Sequence, residues 1–414
     1  MKRITDSLIG DGAGLPITHI KYFLSPGGKN LPPNNVGEME DWHLATSLSF
    51  RARVFTNRLV TRNLFRSPDR SLVSFPRVRS GIPERISHQS FDLAHLHWLG
   101  DSTMSIREVG SLRIPLVWTL HDMWPIGGVQ HYTLSDRHHV GYFKRNRDAG
   151  EVGADLNRKA WNSKIASWKR PIFFVSPSEW LAKETRNSVI GSKGQVFHIP
   201  NPIDTSFWHR VDDDSFRDQH KIENGVKVIA FGSAGGKKNK LKGSEMLSSL
   251  SAHLSSRLKE LESSTRVRVL IFGEAGEDQF FDNVHLSFLG NLDDEELRSL
   301  YSAADVVLVP SVIDNYPLVA TEAISCGTPI VAFGGYGPAE IVKQTGAGLI
   351  STRNNLPQAA SEIIELLESP AALQRMAESG IEYARARWNP VGIRDQYLEV
   401  FQEAMLLGKE SQSQ

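Results

Sequence analysis

Asp314 and Glu322 are two carboxylates with seven residues between them, in the run Asp314-Asn-Tyr-Pro-Leu-Val-Ala-Thr-Glu322. A carboxylate accepts hydrogen bonds from paired hydroxyls, which is how acidic residues hold ribose and hexose rings. The preceding run 305–310 is apolar and β-branched, as suits a buried parallel strand. Pro317 is placed to open a helix as its first residue, and Gly327 to stop it in the left-handed conformation. Asp314 then lies in the loop above the strand, and Glu322 about two turns into the helix. The backbone N–H groups of that helix start, over Asn315, Tyr316, Pro317 and Leu318, favour an anion such as a phosphate. The pattern reads as a binder of something that is both sugar and phosphate.

Two further constellations bear on chemistry. Val228-Ile-Ala-Phe-Gly232-Ser233-Ala-Gly-Gly236 is a strand-like run opening into a glycine-rich loop, followed by Lys237, Lys238, Lys240 and Lys242-Gly243. Small residues let a diphosphate approach the backbone and ammonium groups neutralise it; a solvated lysine loop is the plainer alternative. Leu116-Val-Trp-Thr-Leu-His121-Asp-Met-Trp-Pro125 is a strand that ends in His-Asp. An imidazole at such a strand end can donate to a hydroxyl or a phosphate oxygen at neutral pH.

These blocks resemble one family. The 314–322 stretch resembles the E-x7-E motif of retaining glycosyltransferases of family 4, with Asp first as in the exopolysaccharide-type members. The 116–125 block and Asp92-Leu-Ala-His-Leu-His-Trp98 are similar to blocks of the same enzymes, and 289–305 resembles a scaffold stretch of theirs. The resemblance covers roughly 91–405 and leaves residues 1–90 unmatched. It implies the GT-B fold: α/β, with two Rossmann-like domains facing a cleft. The expected division is 1–200 as an acceptor-side domain, 201–387 as the nucleotide-sugar domain, and 388–414 as a helix crossing back to the first, with a polar tail.

The resemblance also implies residue roles. Glu322 holds the nucleotide ribose, Asp314 lies near the donor sugar, and His121 faces the cleft close to sugar and acceptor. Lys242, with Lys238 or a neighbouring lysine, grips the diphosphate beside Gly232 and Ser233, although relatives carry Arg where only lysines are available here. Catalysis is assigned to His121, Asp314 and Lys242. No metal or other cofactor is expected, because the departing phosphate itself takes the acceptor proton, and Asp212-Asp-Asp214 reads as an acidic loop. The partners implied are a nucleotide-sugar donor and a saccharide or lipid-linked saccharide acceptor of polysaccharide biosynthesis. Two other classes compete: a non-catalytic nucleotide-sugar binder, and a metal-dependent hydrolase built from His95, His97, His121 and Asp122. Apart from His121, the histidines at 95, 97, 131, 138 and 139 read as structural.

Composition bounds the rest. A chain of 414 residues holds two cores, and 40% hydrophobic with 23% charged residues is ordinary for a globular protein. No apolar run approaches membrane-spanning length and the start lacks an apolar signal core, so a cytoplasmic location is expected. The single cysteine, Cys326, reads as packed. Net charge is zero, yet residues 1–200 hold 27 Lys and Arg against 17 Asp and Glu. Part of the excess is a helix over 50–66, with Arg51, Arg58, Arg62 and Arg66 on one face and Phe50, Val54, Leu64 and Phe65 on or near another. Such a helix can contact an anionic membrane peripherally on its inner face, or simply be solvated. No reading motif for nucleic acid accompanies it. Strands are expected at 91–96, 114–120, 172–176 and 196–199, then at 226–231, 267–272, 285–289, 306–310 and 329–333. Pro200-Asn-Pro-Ile-Asp204 marks the boundary.

Overall fold

Each of the nine runs expected as a strand contains a parallel strand, with the same bounds at Val267–Phe272 and with ends moved elsewhere. The computed structural model describes residues 48–66, 72–87, 91–100, 103–211, 215–232, 243 and 246–410. The chain divides into two compact units, one drawn from residues up to Ile199 and from Arg394 onward, the other from Pro200 to Ile393. Residues 388–393, expected with the terminal helix, therefore belong with the second unit; Trp388 is fully buried in its core and its carbonyl accepts from Ile203 N–H at 2.8 Å.

The first unit contains, among the described residues, β1 (Phe65–Arg66), β2 (Ala94–Leu96), β3 (Leu116–Thr119), β4 (Val152–Gly153), β5 (Phe173–Ser176) and β6 (Gln195–His198). A parallel sheet runs β2-β3-β5-β6, and β1 pairs antiparallel with β4 in a separate ribbon. Every residue of β3 and β5 is buried, as apolar strands covered on both faces require. The helix expected through Arg66 runs Leu48–Leu64 and stops there, because Phe65 and Arg66 pair with Gly153 and Val152. Its apolar face is also not the expected one. Val54, Asn57 and Thr61 are buried, while Phe55, Leu59 and Leu64 are exposed.

The second unit contains β7 (Lys227–Gly232), β8 (Val267–Phe272), β9 (Gln279–Phe281), β10 (Val284–Gly290), β11 (Val306–Val309), β12 (Ile330–Phe333) and β13 (Gly348–Ser351). Their order is β13-β12-β11-β7-β8-β10-β9, parallel except for β9 on the edge. Chain order climbs from β7 through β8 to β10, then jumps to the other side of β7 and climbs outward through β11, β12 and β13. This is the doubly wound order of a dinucleotide-type fold, and the reversal falls between β7 and β11. Helices cover both faces, with Leu250, Leu254 and Leu258 packed on one and Ala320, Ala323 and Ile324 on the other. Local signals set the ends: Asp293 and Glu296 form a reciprocal cap at the helix Asp294–Ala303, and Gly346 closes Gly337–Thr345 in the left-handed region.

Candidate functional site

In an open parallel sheet, ligands bind beyond the carboxyl ends of the strands where the winding reverses. In the second unit that point lies beyond Gly232 at the end of β7 and Pro310 just after β11. The 314–322 motif is the loop and helix that follow β11. Pro317 is the N-cap and Leu318 the first residue of the helix Leu318–Ser325, one position later than expected. Glu322 is thus the helix's fifth residue, less than two turns in. Gly327 has the expected positive φ of 75°. Intrahelical bonding starts with Ala320 N–H to the Pro317 carbonyl, so the N–H groups of Leu318 and Val319 precede the ladder and point out of the helix end.

The side chains converge there. Asp314 is 8% exposed and accepts from Ser311 Oγ at 3.3 Å; Glu322 is 6% exposed and accepts from Tyr301 Oη at 3.3 Å. Asn315 and Tyr316 are buried beside them, while Leu318 is 44% exposed at the helix start. Glycines let the surrounding backbone close in. A Cβ on Gly337 would sit 1.7 Å from the Asn315 carbonyl oxygen, and one on Gly243 would sit 2.1 Å from that of Pro310. Gly232 faces Val319 of the helix start, at 3.4 Å from a built Cβ. Gly243 is required by its close approach to the Pro310 carbonyl just after β11 and by its φ of 77°. Lys242 itself lies outside the described residues, as do Ser233, Lys237, Lys238, Lys240 and Asp212–Asp214.

One residue here was not legible from the motif. Arg353, two positions past β13, donates to the Pro310 carbonyl and lies 3.0 Å from a Cβ built on Gly243. Burial lowers its pKa. It brings a guanidinium to the same edge where the sequence offered only lysines, and nothing in its neighbours Thr352 and Asn354 marks it. Cys326 is buried, and burial together with the Glu322 charge pushes its thiol up to about 12, so it is packed and unreactive.

In the first unit His121 lies two residues past β3. Its Nε2 is 2.9 Å from His97 Nδ1, and its carbonyl accepts from Tyr132 Oη at 3.0 Å. Burial lowers His121 to about 4 and His97 well below the usual range, so both rings are neutral at pH 7 and share one proton across that contact. His97, expected as structural, therefore positions His121. His95 turns away: its Nε2 meets Thr119 Oγ1 at 2.8 Å, which meets Tyr397 Oη at 3.0 Å. Asp122 is committed to His131, Oδ2 to Nδ1 at 2.5 Å, and to the Trp124 N–H at 2.9 Å; His131 Nε2 meets Ser74 Oγ at 2.8 Å. This buried Ser-His-Asp line braces the loop. The hydrolase alternative loses its ligand set, since His95 and Asp122 are turned to other partners.

A parallel sheet reversed at its switch point, with helices on both faces, defines a doubly wound α/β protein. The family description "Glycosyltransferase Family 4" matches residues 23–207 and "Glycosyl transferases group 1" matches residues 212–385. The chain belongs to the family 4 glycosyltransferases and has their GT-B fold. The match begins at residue 23, well inside the stretch that the motifs alone left unmatched. The D-inositol 3-phosphate glycosyltransferase of Segniliparus rotundus is 25% identical over 325 residues, 74% of this chain and 65% of that protein. The chain thus spans just under two thirds of the length of that relative. Sucrose-phosphate synthase of Thermosynechococcus elongatus has the same fold, with TM-score 0.57 at 19% identity over 79% of this chain and 77% of that one. The Anabaena protein HepE, solved with UDP-glucose, gives TM-score 0.56 at 19% identity over 78% of this chain and 81% of that one.

Proposed function

We propose that this chain is a retaining, metal-independent glycosyltransferase that moves a hexose from a nucleotide-sugar donor to a saccharide or lipid-linked saccharide in polysaccharide biosynthesis. The observation that carries the reading is the convergence of Gly232, Asp314, Glu322 and the Leu318–Ser325 helix start at the reversal of the second sheet. The glycosyltransferase name of the relative and the UDP-glucose bound by the Anabaena protein support it.

In this reading Glu322 accepts from the ribose hydroxyls and Asp314 from the donor sugar. The diphosphate meets the N–H groups of Leu318 and Val319, with Lys242, Lys238 and Arg353 as cations. When the bond from the sugar's C1 to the diphosphate breaks, its electron pair goes to the departing phosphate oxygen. Fixed dipoles and cations stabilise that growing charge. The acceptor oxygen bonds to C1 on the same face and its proton passes to the same phosphate oxygen, so no side-chain base is required. His121, neutral and oriented by His97, is in this reading a hydrogen-bonding group for the acceptor. The acceptor side is at a membrane surface in this proposal, because the helix Leu48–Leu64 exposes Phe55 and Leu59 beside Arg58.

Purified protein screened against a panel of nucleotide sugars tests the proposal, reading nucleoside diphosphate release and thermal shift. One donor should raise the melting temperature and be turned over. Lys242→Ala should slow single-turnover transfer more than it weakens donor binding, since the charge it meets grows in the transition state. A donor that binds but is never turned over with any acceptor would make the chain a non-catalytic binder. No response to any nucleotide sugar would overturn the site itself.

A further inference from the structure

Away from the switch point and the His97–His121 pair, one group of side chains in the first unit is arranged as ligands. His138 and His139 lie in the helix Arg137–Val140 and Glu184 in the helix Glu179–Asn187. One carboxylate oxygen, Glu184 Oε2, is 2.8 Å from His138 Nε2 and 2.9 Å from His139 Nε2. The three ligand atoms lie within 4.8 Å of one another, the only such group of His, Cys, Asp or Glu among the described residues.

The tautomer of His138 gives this cluster its meaning. Its Nδ1 lies 3.1 Å from the Ser135 carbonyl oxygen, an acceptor only, so Nδ1 carries the proton. Nε2 is then the ring nitrogen left to face Glu184 at 2.8 Å, a position that a ring proton or a metal ion fills equally well. The same arrangement, ring N–H to a backbone carbonyl and the other nitrogen inward, is how metal-bound histidines are held. His139 Nε2 is sealed from solvent and meets the same oxygen without hydrogen-bond geometry. The ligand nitrogens are buried, and the partly exposed Glu184 at 22% and outer edge of His139 at 31%, against 3% for His138, form the side nearest solvent.

We propose that His138, His139 and Glu184 bind a divalent transition metal of the zinc class, with water completing the shell on the side nearest solvent. Two imidazoles and a carboxylate are a zinc ligand set. Bonds of 2.0–2.2 Å in a tetrahedron separate ligand atoms by about 3.3 Å, so the present contacts need to open by roughly half an ångström. The role follows from the connection. Residues 121–136 are a long irregular segment that starts at His121, and its far end is the helix Arg137–Val140. A metal on Glu184 staples that end to the helix after β5, adding to the bond from Val189 N–H to the His138 carbonyl at 3.0 Å. The site is structural and does not enter the transfer step.

The experiment uses the full chain stripped with a chelator. Zinc content by elemental analysis and the visible absorption of Co(II) should show one equivalent bound with a tetrahedral-type spectrum, and zinc should raise the melting temperature. His139→Ala and Glu184→Gln should each weaken metal binding by at least about tenfold. His139 is partly exposed, so the first variant folds even where the second does not, and it carries the test alone if needed. Stripped protein that takes up no metal at about a hundredfold excess of zinc would overturn the site and leave the His138–Glu184 contact as a hydrogen bond alone. So would uptake at unchanged affinity in the His139→Ala protein.

Discussion

The two units share one grammar, parallel strands followed by loops and helices, and spend their strand ends differently. In the second, chain order reverses between β7 and β11, and the strand ends carry carboxylates, close-packed glycines and helix N–H groups. In the first, the described sheet advances from β2 to β6 without reversal. Its strand ends carry neutral imidazoles on a long loop held from beneath by buried polar groups. Lys164 is fully buried, and its Nζ donates to the carbonyls of Trp124, Gly127 and Gly128 while resting 3.9 Å over the Trp124 ring. Three acceptors match the three donors of an ammonium. Burial pulls the Lys164 pKa down and the Asp122 charge opposes that. One unit makes a site by topology; the other must hold one by internal scaffolding.

If that contrast is right, scaffold substitutions should damage the first unit most. Lys164→Met removes the donor from three buried carbonyls and should cost about 3–5 kcal/mol, the range for deleting one partner of a buried charged network. Chemical denaturation followed by tryptophan fluorescence measures it, since Trp118, Trp124 and Trp168 pack against one another in tilted and edge-on contacts. A loss below about 1 kcal/mol would mean that the loop is held by something else.

In the second unit a site substitution should spare the fold and cost affinity. Glu322→Gln keeps the shape and the bond from Tyr301 Oη but removes the charge. Nucleoside diphosphate binding should weaken by about 1.5–3 kcal/mol in calorimetry, with the melting temperature of the free protein little changed. Unchanged affinity would take the ribose away from Glu322.

The pH response separates the units again. His121 is held near 4 and His95 near 3 by burial, against about 6.5 for a free imidazole. The unfolded chain therefore binds protons between pH 6.5 and 4 that the folded first unit refuses, and its stability falls as pH drops through that window. Denaturation midpoints from pH 8 to 4.5 should decline below 6.5, and His121→Gln should flatten part of the decline. A flat wild-type profile would mean that the imidazoles titrate normally.

Legibility followed the same division. The second unit could be read because one contiguous stretch, 305–329, carries strand, loop, acids and helix together, and its apolar runs are long and β-branched. What escaped there came from afar: Arg353 reaches Pro310 across the sheet and has no local mark. β13, Gly348-Leu-Ile-Ser351, is short and framed by small and polar residues, so no strand was expected. In the first unit the His121 block was plain, but its supports were not. Lys164 sits in the last turn of its helix, where a lysine is ordinary, and Glu184 is 45 positions from His139, so no spacing pattern marks either. The helix that opens the described residues misled for a physical reason: with Phe55 and Leu59 outside and Asn57 and Thr61 inside, its periodicity does not mark the buried face.

That inverted face supplies the smallest expected effect. Phe55 is 68% and Leu59 50% exposed on the helix Leu48–Leu64, next to exposed Arg58, with Arg66 exposed just beyond. Apolar side chains outward beside arginines suit an anionic bilayer surface better than water, and each arginine near such a surface is worth about 1 kcal/mol. Wild-type protein should co-sediment with vesicles rich in anionic lipid at low salt and be released as salt rises. Arg58→Gln should weaken binding about fivefold, and Phe55→Ser should weaken it at every salt concentration, because one change removes charge and the other removes insertion. Both should leave nucleotide binding by the second unit unchanged. Protein that ignores such vesicles at low salt would make the helix a solvated face, and would move the proposed acceptor from a lipid-linked saccharide to a soluble one.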